Sequence, residues 1–257
     1  MRQSAATLEA FYTSRIGRAA SALIARRISD LWASGPGEII LGIGYTLPVF
    51  AAWPAPHMVG LSVLPEEIGS PAPAPTHQGR VLLAPEHRLP FAEASFDRIL
   101  MLHALEEADH PRQLMREAWR LLAPEGRLII GTTNRRSLWS VNEALALGHG
   151  RPWTRRQLVR FLSESLFQVT ASATAVHMPP LDWSVITSAA NIWERVGDTA
   201  MPGFGGLVLV EATKRLYAEP GGTAGAVVTR TAKQSRMEPN LPNCEAASSG
   251  SDRPKKK

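Results

Sequence analysis

The sequence predicts a doubly wound α/β domain whose sheet is mostly parallel, has about seven strands and carries an N-terminal helical cover. Two observations support this fold class. Residues 96–102, 111–122 and 126–131 form an apolar run, a segment with helical spacing and a second apolar run, which is the order of a β-α-β unit with parallel strands. Further short apolar runs, bounded by glycine or proline, lie on both sides of this unit and supply the remaining strands.

The N-terminal half begins with helix and continues with three short strands. Apolar residues between positions 7 and 32 recur at helical spacing, which predicts one or two amphipathic helices that end at Gly35-Pro36-Gly37. Residues 65–78 hold four prolines, so this segment is expected to be an irregular loop. The three strands are predicted at residues 38–44, 57–61 and 79–84.

The C-terminal half continues the alternation of helix and strand. A helix is predicted at residues 157–165, with Thr154 as its N-cap, and strands are predicted at residues 167–172 and 206–212. Beyond Tyr217 the chain is rich in Gly, Ser, Thr, Pro and charged residues and has no apolar period. We therefore expect residues 1–217 to form a single domain and residues 218–257 to form a disordered C-terminal tail.

Composition suits a globular protein and excludes collagen, a coiled-coil rod and a wholly disordered chain. The chain has 257 residues, 44% of them hydrophobic, and every apolar run is interrupted well before the roughly 18 residues that a membrane span needs. Its single cysteine, Cys244, excludes an internal disulfide and a cysteine-rich metal site. The first residues lack the apolar core of a secretory signal, so we expect a cytoplasmic protein.

The net charge of +5 does not indicate a nucleic-acid partner. Residues 218–257 hold seven basic and four acidic residues, which leaves 21 basic against 19 acidic residues in the rest of the chain. Nucleic-acid-binding domains cluster basic and aromatic side chains, and this nearly neutral body does not. A small-molecule substrate is the favoured partner, and a protein partner is the open alternative.

A glycine turn follows the first predicted strand. Gly42-Ile43-Gly44-Tyr45 places two glycines where the carboxyl end of a parallel strand meets a ligand in open α/β sheets. Two glycines are also typical of a tight turn without a ligand, and both interpretations stay open. At the end of the next strand, Leu61 and Ser62 stand where an acidic residue normally binds ribose hydroxyls. If the turn binds a ligand, Gly44→Val is expected to abolish binding and to leave the fold intact.

The connection between the third and fourth strands carries the most specific motif. Leu89-Pro90-Phe91 precedes Ser95-Phe96-Asp97 at the start of the next strand, and residues 122–128 read Leu-Ala-Pro-Glu-Gly-Arg-Leu. These segments resemble those of class I S-adenosylmethionine-dependent methyltransferases. Over about residues 8–217 the chain is similar to a bacterial subgroup of methyltransferase type 11-like domains with a degenerate glycine motif. The other motifs of that subgroup stand at residues 41–45, 134–139 and 148–153.

The resemblance implies a Rossmann-like methyltransferase fold and S-adenosyl-L-methionine as the cofactor, bound at the carboxyl ends of the strands. The implied cofactor-binding residues are Gly42, Ile43, Gly44, Tyr45, Leu61, Ser62, Glu86, Leu102 and His103. His103 is also the candidate catalytic residue, because a neutral imidazole can take a proton from the substrate. The alternative is that His103 is a packed, hydrogen-bonded neighbour of the cofactor.

Polar and aromatic residues after the fifth strand form a candidate substrate rim. Arginines beside an asparagine suit an anionic or polar substrate group, and a tryptophan can close over it. Solvated loop arginines and a core tryptophan are the alternatives. The candidates are Asn134, Arg135, Arg136, His149, Arg151 and Trp153, together with Tyr12 of the first helix. No metal site is predicted, because His110 and His177 have no partners at metal-ligand spacing.

Two functions are compatible with these observations. The first is S-adenosylmethionine-dependent methyl transfer to an unidentified small molecule. For this reaction a protein mainly supplies proximity, alignment and exclusion of water, so no signature nucleophile is required. The second is a cofactor-independent interaction or regulatory protein on the same fold, because a fold does not fix an activity and Leu61 replaces the ribose-binding acid.

Overall fold

The computed structural model describes residues 2–32, 39–53, 59–70, 81–142 and 145–215. The strands are β1 (Ile39–Gly44), β2 (Val59–Leu64), β3 (Val81–Leu83), β4 (Phe96–Leu102), β5 (Leu122–Thr133), β6 (Phe167–Ala175) and β7 (Leu207–Lys214). The helices are α1 (Ala5–Thr13), α2 (Arg15–Leu31), α3 (Leu47–Ala52), α4 (Pro111–Leu121), α5 (Arg155–Glu164), α6 (Ser184–Ser188) and α7 (Ala190–Ala200). Two 3₁₀ helices lie at Glu66–Ile68 and Leu138–Val141.

The described strands form one seven-stranded sheet in the order β3-β2-β1-β4-β5-β7-β6. Neighbouring strands are parallel from β3 to β5. Strand β7 is antiparallel to both of its neighbours, β5 and β6. The predicted fold class, a doubly wound and mostly parallel sheet, is therefore confirmed.

The two faces of the sheet bury separate cores, because successive side chains of a strand point to opposite sides. Leu41 and Ile43 of β1 join a core with α4 and α5, which we call the α5-side core. Ile40 of β1 and Leu100 of β4 join a core with α2 on the other face, which we call the α2-side core. Helices therefore cover both faces, as the parallel sheet requires.

A third apolar cluster lies at the carboxyl ends of the strands, and α1 forms its outer wall. Ser4 caps α1, with its Oγ accepting a hydrogen bond from the backbone N–H of Thr7 at 3.2 Å. The helix buries Leu8 and Tyr12, which share this cluster with Tyr45 after β1 and with the end of β2. Helix α1 thus lies across the sheet edge at which ligands bind in such folds.

Most predicted elements are confirmed with small shifts in their ends. The N-terminal helical region divides at Ser14 into α1 and α2, and β2 continues to Leu64 beyond its predicted end. Thr154 caps α5 in a capping box with Gln157, as its position before the helix predicts. The predicted helix end at Gly35-Pro36-Gly37 lies outside the described residues, as do residues 57–58 and 79–80 and the tail at 218–257.

Three helices were not predicted, and each has a local reason. Helix α3 is short and carries Pro48 in its first turn, so its sequence resembles a turn. Helix α6 has no buried residue. Helix α7 buries Glu194 and exposes Ile192 and Trp193, which inverts the usual amphipathic pattern. Within the described residues, no helix combines the length and apolar character that a bilayer crossing requires.

Candidate cofactor and substrate site

The carboxyl ends of β1 and β4 lie side by side where the chain reverses its direction across the sheet. From β1 the chain runs outward to β2 and β3, and then returns to β4 on the other side of β1. Gly44 at the end of β1 is in register with Leu102 at the end of β4. In open α/β sheets, ligands bind at such a topological switch point. His103 follows with a φ of 52°, an uncommon value for a residue other than glycine.

Contacts within the protein leave no room for a Cβ at Gly42 or Gly44, the two glycines in the last half of β1. Gly44 has a φ of 82°, and a Cβ added there lies 2.1 Å from the carbonyl oxygen of Leu102. A Cβ added to Gly42 lies 2.1 Å from Oγ1 of Thr46. The expectation that Gly44→Val leaves the fold intact is wrong, because the added atoms overlap backbone atoms and not an open ligand space.

The second strand presents no carboxylate to the sheet edge. Ser62 is fully buried, and its Oγ lies 2.8 Å from Oγ1 of Thr46, so the two hydroxyl groups share a hydrogen bond. Leu61 packs against the α5-side core, which makes the implied ribose position a core position. The nearby acids Glu66 and Glu67 are exposed.

Tyr12 extends from α1 to the end of β4. Its hydroxyl oxygen lies 2.6 Å from Nε2 of His103, and its ring stacks on Tyr45 with centroids 6.0 Å apart. Burial lowers the pKa of His103 to about 4 and raises the pKa of Tyr12. The imidazole is therefore neutral at neutral pH, as a candidate base requires. Its Nε2, however, is already hydrogen-bonded to the hydroxyl of Tyr12 in α1.

Glu106 lies on the other side of His103. Its Oε1 is 3.8 Å from Nδ1 of His103, and the residue is 2% exposed. Neither of its carboxyl oxygens forms a hydrogen bond with another residue of the described chain. Burial raises the pKa of Glu106 to about 8, so the group is mostly protonated at neutral pH. Sequence reasoning missed Glu106, because it stands in an acidic segment typical of a solvated loop.

The first residues of the chain attach α1 to the loops that follow β3 and β4. Arg2 donates to both carboxylate oxygens of Glu86, at 3.0 and 2.8 Å, and to Asp109 at 3.4 Å. The backbone N–H of Gln3 donates to Glu107 at 3.2 Å. Glu86, which the resemblance implies as a cofactor residue, is thus paired with the N-terminal segment.

Two cavities lie on either side of α1 at this edge. One has a volume of about 410 Å³ and is lined by Tyr12 and Tyr45 among others. The second has a volume of about 580 Å³ and is lined by Arg2 and Glu106 among others. Both volumes fall in the range of small-ligand sites. Leu8 and Tyr12 of α1 are buried against Tyr45, so α1 occupies the space beside the two glycines.

Asn134 holds the turn after β5 through hydrogen bonds of its side chain. The side chain is buried, and its Nδ2 donates to the carbonyl oxygens of Gly203 and Gly205 at 3.0 and 2.8 Å. Its Oδ1 accepts a hydrogen bond from the backbone N–H of Arg136 at 3.1 Å. All polar atoms of this amide are therefore used within the fold.

Three residues of the predicted substrate rim share one cavity. Arg135, Arg151 and Trp153 line a cavity of about 640 Å³ beside the first turns of α4 and α5, which we call the Trp153 cavity. Trp153 packs on Phe161 with ring centroids 5.2 Å apart. Its indole N–H is buried and has no hydrogen-bond partner among the described residues. Trp153 is thus a packed residue that also borders a cavity.

The remaining rim residues lie elsewhere. Arg136 stacks over the Phe204 ring, 4.7 Å from its centroid, and lines a separate cavity. His149 borders the larger of the two cavities beside α1, where its Nε2 lies 3.9 Å from Oε1 of Glu107. Arg151 lines both this cavity and the Trp153 cavity, so it connects the two.

His177 gains carboxylate neighbours that its sequence spacing does not show. His177, Glu194 and Asp198 bring their ligand atoms within 4.8 Å of one another, because α7 packs beside the end of β6. Arg27 of α2 contacts both carboxylates. Glu194 also accepts hydrogen bonds from the backbone N–H groups of Val176 and His177 at 3.2 and 2.9 Å. The guanidinium group already supplies the positive charge of this cluster, which joins α2 to α7.

Comparison with known proteins finds a family match in the first half of the chain. Residues 40–130 match the family described as a methyltransferase domain. A protein of Mycobacterium tuberculosis, described as uncharacterized, is 33% identical over 99 residues, which are 36% of this chain and 35% of that protein. The chain thus spans about a third of the length of the curated relatives it matches.

Solved structures share the fold. An S-adenosylmethionine-dependent methyltransferase from Thermotoga maritima, described as a possible histamine N-methyltransferase, has a TM-score of 0.57 and 21% identity over 80% of this chain and 94% of its own. A 1,6-didemethyltoxoflavin-N1-methyltransferase from Burkholderia thailandensis, with S-adenosylhomocysteine bound, has a TM-score of 0.51 and 19% identity over 76% and 78%. The chain therefore shares the fold of these S-adenosylmethionine-dependent methyltransferases, and its residues 40–130 are similar to a methyltransferase domain.

Proposed function

We propose that the chain is an S-adenosylmethionine-dependent methyltransferase that acts on a small molecule. The observation that carries this proposal is the family match over residues 40–130, which extends from β1 into β5 and includes every strand end at the switch point. The Burkholderia enzyme holds S-adenosylhomocysteine on the same fold, which supports S-adenosylmethionine as the cofactor.

Entry of the cofactor requires α1 to leave the sheet edge. Helix α1 has nine residues, and a helix of this length depends on packing for its stability. Its attachment rests on the pairing of Arg2 with Glu86, on the bond between Tyr12 and His103, and on burial of Leu8. Release of α1 frees Nε2 of His103 and joins the two cavities that flank the helix.

The residues around the released edge have separate roles in this proposal. Arg135 and Arg151 hold an anionic or polar group of the substrate in the Trp153 cavity, and Trp153 limits access of water. His103, whose Nε2 loses its hydrogen bond to Tyr12 when α1 is released, accepts the proton that the substrate loses. The cofactor would supply the methyl group, and the chain would align the acceptor with it.

A cofactor-independent interaction protein is the second candidate function. The filled sheet edge favours it, because Leu8 and Tyr12 are buried where a cofactor would lie. The uncharged Ser62, which is hydrogen-bonded to Thr46, also favours an interaction protein. An assay for methyl transfer distinguishes the methyltransferase from the interaction protein.

A transfer assay tests the proposal directly. The purified protein is incubated with S-adenosylmethionine labelled in its methyl group and a deproteinised extract of bacterial metabolites, and the label in products separated from the cofactor is measured. We expect transfer, and we expect Arg135→Ala or Arg151→Ala to lower it by about tenfold or more, since each removes a charge-assisted hydrogen bond.

The matched control is Arg160→Ala. Arg160 is an exposed residue of α5 whose side chain pairs with Glu164 at 2.9 Å, and its removal should leave transfer unchanged. Absence of label in every acceptor fraction would contradict the enzyme and favour the interaction protein. Full transfer by both cavity variants would place the acceptor outside the Trp153 cavity.

A further inference from the structure

The cavity that contains Arg136 is built mainly from arginines. It has a volume of about 620 Å³ and lies between the first turn of α5, the end of β6 and the start of β7. We call it the Ser172 cavity. Its basic lining residues are Arg27, Arg136, Arg155 and Arg156. Asp198 is the single acid among the lining residues that the structure describes, and it is already paired with Arg27. The cavity therefore carries an excess of positive charge.

Two of these arginines occupy a position that is unfavourable for a cation alone. Arg155 and Arg156 are the first two residues of α5, and the N-terminus of a helix carries partial positive charge. Repulsion between these side chains and the helix dipole is relieved by an anion, which both of them attract. Within the described chain, neither arginine is ion-paired.

A buried hydroxyl group supplies a second and independent observation. Ser172 of β6 is 2% exposed, and its Oγ has no hydrogen-bond partner within the described residues. The sheet pairs Ser172 with Val210 and Thr174 with Val208, and both valines belong to the α5-side core. Ser172 therefore points to the side of the sheet on which the cavity lies. A buried hydroxyl without a partner destabilises the fold unless a ligand oxygen completes its hydrogen bond.

We propose that the Ser172 cavity binds a phosphate group, carried by a small molecule or by a lipid headgroup. Phosphate has several oxygens that accept from planar guanidinium groups, so it can use Arg136, Arg155 and Arg156 together. The hydroxyl of Ser172 donates to a remaining oxygen. A carboxylate has only two oxygens and leaves part of this donor set unused. The Ser172 cavity is separate from the carboxyl ends of β1 and β4. The proposed phosphate binding therefore does not depend on whether the chain transfers methyl groups.

The surface beside the cavity distinguishes the two sources of phosphate. Helix α7, which supplies Asp198 to the cavity, exposes Ile192, Trp193 and Val196. A lipid headgroup in the cavity would bring this apolar face against a membrane surface. A phosphorylated small molecule makes no use of it.

Calorimetric titration of the full chain with pyrophosphate, without any cofactor, tests the proposal. We expect binding that the double variant Arg155→Ala/Arg156→Ala weakens by about tenfold or more. The double variant Arg88→Ala/Arg160→Ala removes the same charge from exposed positions outside the cavity and should bind as the wild type does. Ser172→Ala is expected to weaken binding without lowering Tm, since its hydroxyl has no partner in the protein.

Sedimentation with phosphatidylcholine vesicles, with and without phosphatidic acid, identifies the source. Cosedimentation that depends on phosphatidic acid and is lost in Trp193→Ser assigns the site to a lipid headgroup. Binding of pyrophosphate without cosedimentation assigns it to a phosphorylated small molecule. The proposal is overturned if neither probe binds, or if the Arg155→Ala/Arg156→Ala variant binds pyrophosphate as tightly as the wild type.

Discussion

Gly44→Ala is expected to destabilise the protein by about 3 to 5 kcal/mol. Two causes act together. The backbone at Gly44 has a φ of 82°, which strains any residue with a Cβ, and the added Cβ lies 2.1 Å from the carbonyl oxygen of Leu102. Since that oxygen belongs to the adjacent strand β4, the contact cannot be relieved by a side-chain rotation. The free energy of unfolding, measured by urea denaturation, checks the result.

Gly69→Ala is the matched control for this variant. Gly69 has a φ of 80°, almost the same as Gly44, but a Cβ added to it meets nothing within 4 Å. Its cost is limited to backbone strain, about 1 to 3 kcal/mol. The difference between the two variants isolates the overlap with β4. Equal losses in the two variants would contradict the overlap of the added Cβ with the carbonyl oxygen of Leu102.

Glu106→Gln is expected to stabilise the protein at alkaline pH and to have little effect at acidic pH. The pKa of Glu106 is about 8 in the folded chain against an ordinary value of 4.5, so between these values the folded state binds more protons than the unfolded state. Stability is then lost as the pH rises from about 4.5 to 8, by about 3 to 5 kcal/mol in total. Glutamine stays uncharged and avoids this loss.

Denaturant unfolding at a series of pH values measures this effect as the difference between variant and wild type. The pKa of His103, lowered to about 4 by burial, makes stability rise with pH between about 4 and 6.5. The change in the difference between pH 6.5 and 8 therefore reports Glu106 alone. Glu66→Gln, which replaces an exposed glutamate, is the matched control for the loss of one carboxyl group. A constant difference between Glu106→Gln and the wild type at all pH values would contradict the buried, uncharged carboxyl group.

The sequence predicts the fold class because the central elements are locally consistent. The strands β4 and β5 contain apolar runs buried on both faces, at residues 99–102 and 128–130, and α4 between them has a single apolar stripe that includes Leu114 and Ala118. Such patterns depend only on neighbouring residues. Helix α7 is not predicted, because its burial depends on a distant residue. Its buried face holds Glu194, which forms an ion pair with Arg27 of α2.

The sequence predicts where the candidate site lies, but it does not predict the side-chain contacts within the site. Gly44 and His103 follow strands whose carboxyl ends must meet in a parallel sheet, so their proximity can be derived from the pattern of strands. The bond between Tyr12 and His103 joins residues 91 positions apart, and no local pattern indicates it. The same holds for Glu106, whose burial depends on the packing of α1 and of the loops around it.

Calorimetric titration of the full chain with S-adenosylhomocysteine tests most directly the central claim, that a cofactor binds at the ends of β1 and β4 when α1 is released. We expect micromolar binding by the wild type. We expect several-fold tighter binding by Arg2→Ala, because loss of the pairing with Glu86 raises the population of the released state. Absence of heat from both proteins at millimolar ligand, or equal affinity of the two, would contradict the claim.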